Sequence, residues 1–167
     1  MATQRHWGEV RKLLEQDLLC ESLKGRVRYF STRYRKAHDQ GGRVCILVDG
    51  EEVLSMPFET EYEVHFEVEK RRAGNDKSKF ELGKEVADEF HGRGTYDPFE
   101  FGLALDEFLS NQIRESLHSS NWLVRMLAVL DRRIGKRSLI TIKGELYSLP
   151  EWLRYFYRLR LESEKLL

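Results

Sequence analysis

Charge along this chain is segregated into three blocks, and that segregation constrains the fold more than any single motif does. Residues 1–50 carry ten Lys and Arg against six Asp and Glu, residues 51–110 seven against sixteen, and residues 111–167 eleven against six. The blocks cancel to a formal net charge of zero. A basic–acidic–basic chain folds either with its blocks neutralising one another, or with a basic face and an acidic face turned toward partners. The total charge therefore carries no message about nucleic acid, and only its distribution does.

The 167 residues make one ordinary domain, spanning 1–167, with enough apolar content (41%) to bury a core. Three prolines argue against long linkers. The longest apolar run, Val44 to Val48, is far short of the roughly 20 residues a membrane span needs, so no membrane association is expected. The N-terminal MATQRHWGEVRK lacks the apolar segment of a signal peptide. The only two cysteines, Cys20 and Cys45, sit in apolar surroundings and read as reduced core residues of a cytoplasmic protein.

Periodicity predicts an α+β domain: a small antiparallel three-stranded meander packed on helices, followed by a helical second half. Trp7, Val10, Leu14 and Leu18 give residues 6–20 a helical stripe. Residues 26–36, RVRYFSTRYRK, read as a strand from their β-branched and aromatic content. Val44–Val48 reads as a buried strand, and Asp49-Gly50 favours the tight turn that returns Glu51–Met56 as a third. Residues 58–72 are ambiguous, because Tyr62, Val64, Phe66 and Val68 alternate with polar residues while Phe58, Tyr62 and Phe66 also share a helix face. Helices are predicted over 78–91 and from a cap at Asp97-Pro98 to about Leu117. A further helix opens at Ser120 and closes at Gly135. RSLITIKG reads as a short strand or extended link, and a last helix starts at Ser148–Glu151 and runs toward Leu166.

Candidate chemistry is sparse. The 26–36 strand interleaves Arg26, Arg28, Arg33, Arg35 and Lys36 with Tyr29, Phe30 and Tyr34, the residue types that contact phosphates and stack on bases. An edge strand protected by charge explains the same residues. Arg132, Arg133, Lys136 and Arg137 form a second basic cluster, read as sitting at and beyond a helix C-terminus, where cations complement the dipole. If the two clusters converge they offer an anion or nucleic-acid face. His38 and Asp39 in the first long loop, with Asp49, Glu51 and Glu52 in the next turn, are the candidates for acid–base work in a small enzyme, although turn-forming Asp and His are common for local reasons. The five histidines lie apart, with no HxH, HExxH or CxxC spacing, so neither a metal nor any other cofactor is expected. Arg125, in N-x-x-V-R-x-x-A, reads as a packed arginine that pairs with a carboxylate or caps a carbonyl. The final helix combines Trp152, Tyr155, Phe156 and Leu159 with arginines, the composition of a protein–protein hot spot if exposed and of core if not.

Several stretches together resemble a family of small bacterial proteins of uncharacterised function: W-G-E-V-R-K-L-L at 7–14, S-L-K-G-R-V at 22–27, T-R-Y-R-K at 32–36, V-D-G-E-E-V at 48–53 and N-W-L-V-R-M-L-A-V-L-D-R-R-I-G-K-R at 121–137. The resemblance implies no activity, cofactor or site residue. It implies a helical 58–72, and a chain that ends soon after G-K-R, which makes residues 143–167 an added C-terminal helix. The function expected is a non-catalytic cytoplasmic binding or adaptor module, engaging a protein partner or a second copy of itself. A nucleic-acid-binding protein and a small enzyme with a loop His/Asp site are the alternatives.

Overall fold

The structure, a computed structural model, describes residues 6–33 and 42–167. The fold is α+β. Three strands, β1 (Val27–Arg33), β2 (Gly42–Val48) and β3 (Glu51–Pro57), form an antiparallel sheet in the order β1-β2-β3. Its helices are α1 (Trp7–Lys12), α2 (Glu59–Arg72), α3 (Lys79–Gly92), α4 (Pro98–Ser110), α5 (Ile113–Leu117), α6 (Trp122–Leu130), α7 (Lys136–Lys143) and α8 (Glu151–Ser163). Residues 34–41, which include Arg35, Lys36, His38 and Asp39, lie outside the described residues.

The sheet follows its sequence closely. Asp49 and Gly50 both take positive φ, 53° and 89°, as a two-residue hairpin turn requires. Register places Tyr29, Ile46 and Leu54 in one row, and Ser31, Val44 and Met56 in the next. That face carries the main core, and Arg28 and Phe30 point to the other. Cys45 lies behind Phe30 on this second face and is buried as a free thiol, as is Cys20. Burial first, and then the nearby Glu52 carboxylate, raises the Cys45 thiol above its ordinary value, so it is an inert packing residue.

The first helix is shorter than its stripe suggested: α1 widens into a π-turn over Leu13–Asp17, where the Leu18 N–H donates to the Leu13 carbonyl. Glu15, in that turn, accepts the Tyr29 N–H at 2.7 Å and ties the turn to β1. Residues 59–72 are helical. Their alternation was misleading, because Val64 and Val68 at helical spacing pack on α3 and Thr60 is buried, while Tyr62 and Phe66 point outward. At α4 the Asp97 carboxylate accepts the Glu100 N–H and the Glu100 carboxylate accepts the Asp97 N–H, with Pro98 in the first turn. Helix α4 stops at Ser110, and α5 is a separate short piece rather than its continuation to Leu117.

Helix α6 is the axis of the main core, with Leu123, Val124 and every residue from Met126 to Leu130 buried. Each fully buried Leu there contributes roughly 1.5–3 kcal/mol. It closes at Leu130, not at Gly135. The buried Asp131 carboxylate accepts the Arg133 backbone N–H at 2.7 Å and its guanidinium at 2.7–3.1 Å, folding the chain into a turn. The Leu130 carbonyl and the Arg132 N–H then pair with Cys20 and Leu18. RSLITIKG (137–144), read as a short strand or extended link, falls almost wholly in α7: Leu139 and Ile142 reach the core at helical spacing, and their burial overrides the β-branched content. Helix α8 then lays Leu153, Phe156, Tyr157 and Leu161 into the main core.

A second, smaller core of Val68, Leu82 and Val86, flanked by Val64 and Phe90, lies between α2 and α3. The α2–α3 hairpin thus has its own apolar centre beside the main one.

Candidate functional site

The two basic clusters meet different fates. Arg26 makes a bidentate pair with Asp49, at 2.9 and 2.8 Å, which lowers the Asp49 carboxyl below its ordinary range. Both residues line a shallow depression of about 470 Å³ with Glu151, Arg154, Tyr155, Arg158, Leu159 and Glu162. Three arginines face three carboxylates there, and Arg154 also caps the carbonyls of Leu146 and Leu149 at 2.9 and 3.0 Å. The depression is therefore electrically balanced and carries no net attraction for an anion. Arg28 and Arg33 are exposed on β1, as are Arg132, Lys136 and Arg137 near α7. Lys136 and Arg137 stand in the first turn of α7, the dipole end that does not favour cations, which corrects their reading as a helix C-terminal cluster. Arg133 is held by Asp131 with its guanidinium 5.7 Å from the centre of the Phe108 ring.

The α8 stripe is mostly core. Phe156 and Leu159 are buried, Trp152 is half-buried, and Tyr155 is exposed. Trp152 does structural work: its indole N–H donates to the His91 carbonyl at 2.8 Å, and its ring leaves no room for a side chain at Gly94, which has φ +78°. Arg125 lies 5.3 and 5.9 Å from the ring centres of Trp122 and Tyr157, and donates to Glu145 at 2.8 Å. This is the paired arginine its sequence context suggested.

Sequence reasoning missed two surfaces. The first is an acidic, aromatic face. Tyr62, Phe66, Phe80, Phe99 and Leu103 are all exposed, Phe66 by 71% and Phe99 by 73%, and all fall within the acidic block. Tyr62 and Phe66 make an outward i, i+4 ridge on α2, and Phe99 and Leu103 one on α4. The two helices begin side by side, since Phe58 and Pro98 line one groove. Glu59, Glu61 and Glu63 flank Tyr62 and make no ion pair among the described residues. The i, i+4 spacing of Phe58, Tyr62 and Phe66 was the signal; only the packing of Val64 and Val68 on α3 turned it outward.

The second surface is a cleft of about 820 Å³ between the end of α3, α4, the start of α6 and the approach to α8. Its polar lining comprises Asp88, His91, Glu100, Ser120, Asn121 and Ser148, and its apolar walls include Leu103, Leu123, Leu149 and Pro150. His91 is fixed from three directions. Its Nε2 lies 2.5 Å from Glu100 Oε1, its ring stacks on Tyr96 at 4.5 Å and 6°, and its carbonyl accepts from Trp152. Burial raises the Tyr96 hydroxyl above its ordinary value, with the Glu100 charge adding to it. Burial likewise raises the Asp97 carboxyl. The cleft lies where α3 meets the main body: Asp88 and His91 come from α3, and Tyr96, Leu123 and Leu149 belong to the main core.

No group of three or more metal-ligating side chains is present among the described residues, and no described helix is long and apolar enough to cross a membrane. No curated protein and no solved structure matches this chain. A family match runs from residue 6 to residue 161, taking in the sheet, α1 to α7 and most of α8, so the last helix lies largely within the shared region rather than being an addition. On that span the chain belongs to the SF0329 protein family.

Proposed function

We propose that the protein is a cytoplasmic, non-catalytic binding module whose partner is a protein segment that is basic and amphipathic. One observation carries the reading: the outward aromatic ridges of α2 and α4 fall in the chain's acidic block, beside Glu59, Glu61 and Glu63, which make no ion pair among the described residues. Exposed large apolar side chains gain by being covered, and acidic neighbours select a cationic cover over a neutral or acidic one. Aromatic side chains are also the usual anchors of such contacts. The two buried, unpaired cysteines fit a reducing compartment.

The test is a titration of the isotope-labelled chain with an amphipathic helical peptide of leucine and lysine, and with its leucine–glutamate counterpart. The lysine peptide is expected to shift resonances of Tyr62, Phe66, Phe99 and Leu103, and the glutamate peptide to leave them in place. The double variant Tyr62→Ser, Phe66→Ser should weaken binding at least about tenfold, as expected for loss of two anchors. Binding that survives the double variant, or that maps onto β1 and α7, overturns the reading.

A further inference from the structure

The cleft between α3, α4 and α6 presents hydrogen-bond acceptors and no fixed positive charge. Among the described residues neither Lys nor Arg lines it, whereas Asp88 and Glu100 do. Glu100 holds His91 through Nε2, with the two side chains 2.5 Å apart. Each Glu100 oxygen takes one such contact, Oε1 from His91 and Oε2 from the Asp97 N–H, and a carboxylate has about four acceptor positions. Asp88 is exposed and makes no ion pair among the described residues. The rest of the lining is largely apolar and aromatic, with Leu103, Trp122, Leu149 and Pro150. The volume is that of a small-ligand site, and a cleft between helices is where such sites concentrate.

We propose that this cleft is a binding site for an organic cation, a guanidinium or ammonium head on a short apolar stem. The head is hydrogen-bonded by Asp88 and by the free acceptor positions of Glu100, and the stem lies against Leu103, Trp122 and Pro150. Phosphates, nucleotides and carboxylic acids are disfavoured, because they would add negative charge beside Asp88 and Glu100 with neither Lys nor Arg among the described lining residues to meet it. The arrangement is stiff before the ligand arrives. His91 is stacked on Tyr96 and tied to Glu100 and Trp152, so little ordering is needed on binding. The ligand would touch α3 from the hairpin and α4 and α6 from the main body, and so couple the two cores. The site does not depend on docking along the ridges. The same cation could be a free small molecule or the arginine or lysine side chain of a partner.

The experiment is a resonance-shift titration of the full chain with ethylguanidinium and with its uncharged isostere, N-ethylurea. Ethylguanidinium is expected to give saturable shifts at His91, Ser120, Asn121 and the Trp122 indole, with N-ethylurea about tenfold weaker or silent, the loss of one charge-assisted contact. Asp88→Asn, at an exposed position, should weaken ethylguanidinium by about the same factor. Absence of saturable shifts at these residues overturns the site, as does equal binding of N-ethylurea or indifference to Asp88→Asn. An arginine-bearing peptide that binds more tightly than ethylguanidinium and loses that advantage in Asp88→Asn identifies a partner's side chain as the source; equal affinities identify a free small molecule. The Tyr62→Ser, Phe66→Ser variant separates the two proposals, since it should abolish ridge docking and leave ethylguanidinium binding unchanged.

Discussion

Arg160 is the residue whose environment most departs from what its chemistry wants. It is 3% exposed, donates from one guanidinium nitrogen to the Ile134 carbonyl at 3.1 Å, and lies 3.4 Å from Glu164. Its Nε and other terminal nitrogen have no partner among the described residues, and burial pushes the guanidinium below its ordinary value. A charge held this way adds little net stability. Arg160→Met, which keeps most of the volume and removes the charge, is expected to unfold in urea within about 1 kcal/mol of the parent. Arg160→Ala, which leaves a hole, should cost about 2–4 kcal/mol. A Met variant as damaged as the Ala variant would show that the charge itself holds α8 in place. Gly94 is the opposite case, a residue that wants nothing else in its position. Its φ is +78°, and a Cβ there would sit 2.9 Å from Cγ of Trp152. Gly94→Ala should therefore destabilise by more than about 1 kcal/mol and displace Trp152 from the His91 carbonyl, visible as a change in tryptophan fluorescence.

Among the elements, the α2–α3 hairpin is set apart by how it is held. Its apolar centre is small, and its outer surface is laced with ion pairs: Arg71 to Glu67 and Glu89 at 2.7–2.9 Å, Lys79 to Glu69 at 2.7 Å, and Lys77 to Glu85. Hydrogen bonds from Arg71 lower the Glu67 and Glu89 carboxyls, that from Lys79 lowers Glu69, and those from Ser78 lower Glu81. A carboxyl depressed in the folded state contributes stability that is present above its unfolded value, about 4.3, and is lost as pH falls through the folded value. All four sit at the surface and each effect is small, yet they share one hairpin. Hydrogen exchange, corrected for intrinsic rates, is expected to show α2 and α3 losing protection on acidification below about pH 4.5 while α6 keeps it. Simultaneous loss in α2, α3 and α6 would mean that the two cores open as one. The elements also mark how far local pattern reaches. The Asp49-Gly50 turn, the Asp97–Glu100 cap and the β2 run were legible because turn geometry and capping are chemistry between near neighbours. Residues 136–143 were not, because their helical state depends on Leu139 and Ile142 meeting a core built elsewhere.

At the scale of the whole molecule, the segregated charge does not resolve into two simple opposed faces. Part of the basic complement is neutralised internally: Arg26 by Asp49, Arg125 by Glu145, Arg133 by Asp131. The acidic block pairs largely within the α2–α3 hairpin and keeps Glu59, Glu61 and Glu63 outward beside exposed aromatic rings. The sequence by itself determined the α+β class, the antiparallel meander, the number of acidic residues in the middle of the chain and the free, buried state of both cysteines, because each follows from composition or from spacing within a few residues. Tertiary structure alone decided which aromatics are core and which are surface: Phe156 went inward and Phe66 outward, although both sit on amphipathic stripes. It also decided where the cleft lies, since Asp88, Glu100, Asn121 and Ser148 come from four separate stretches of the chain and share a volume only because α3, α4, α6 and the approach to α8 converge. The physical reason is the same in both cases. Burial depends on what an element packs against, and a cleft is the space that packing leaves unfilled.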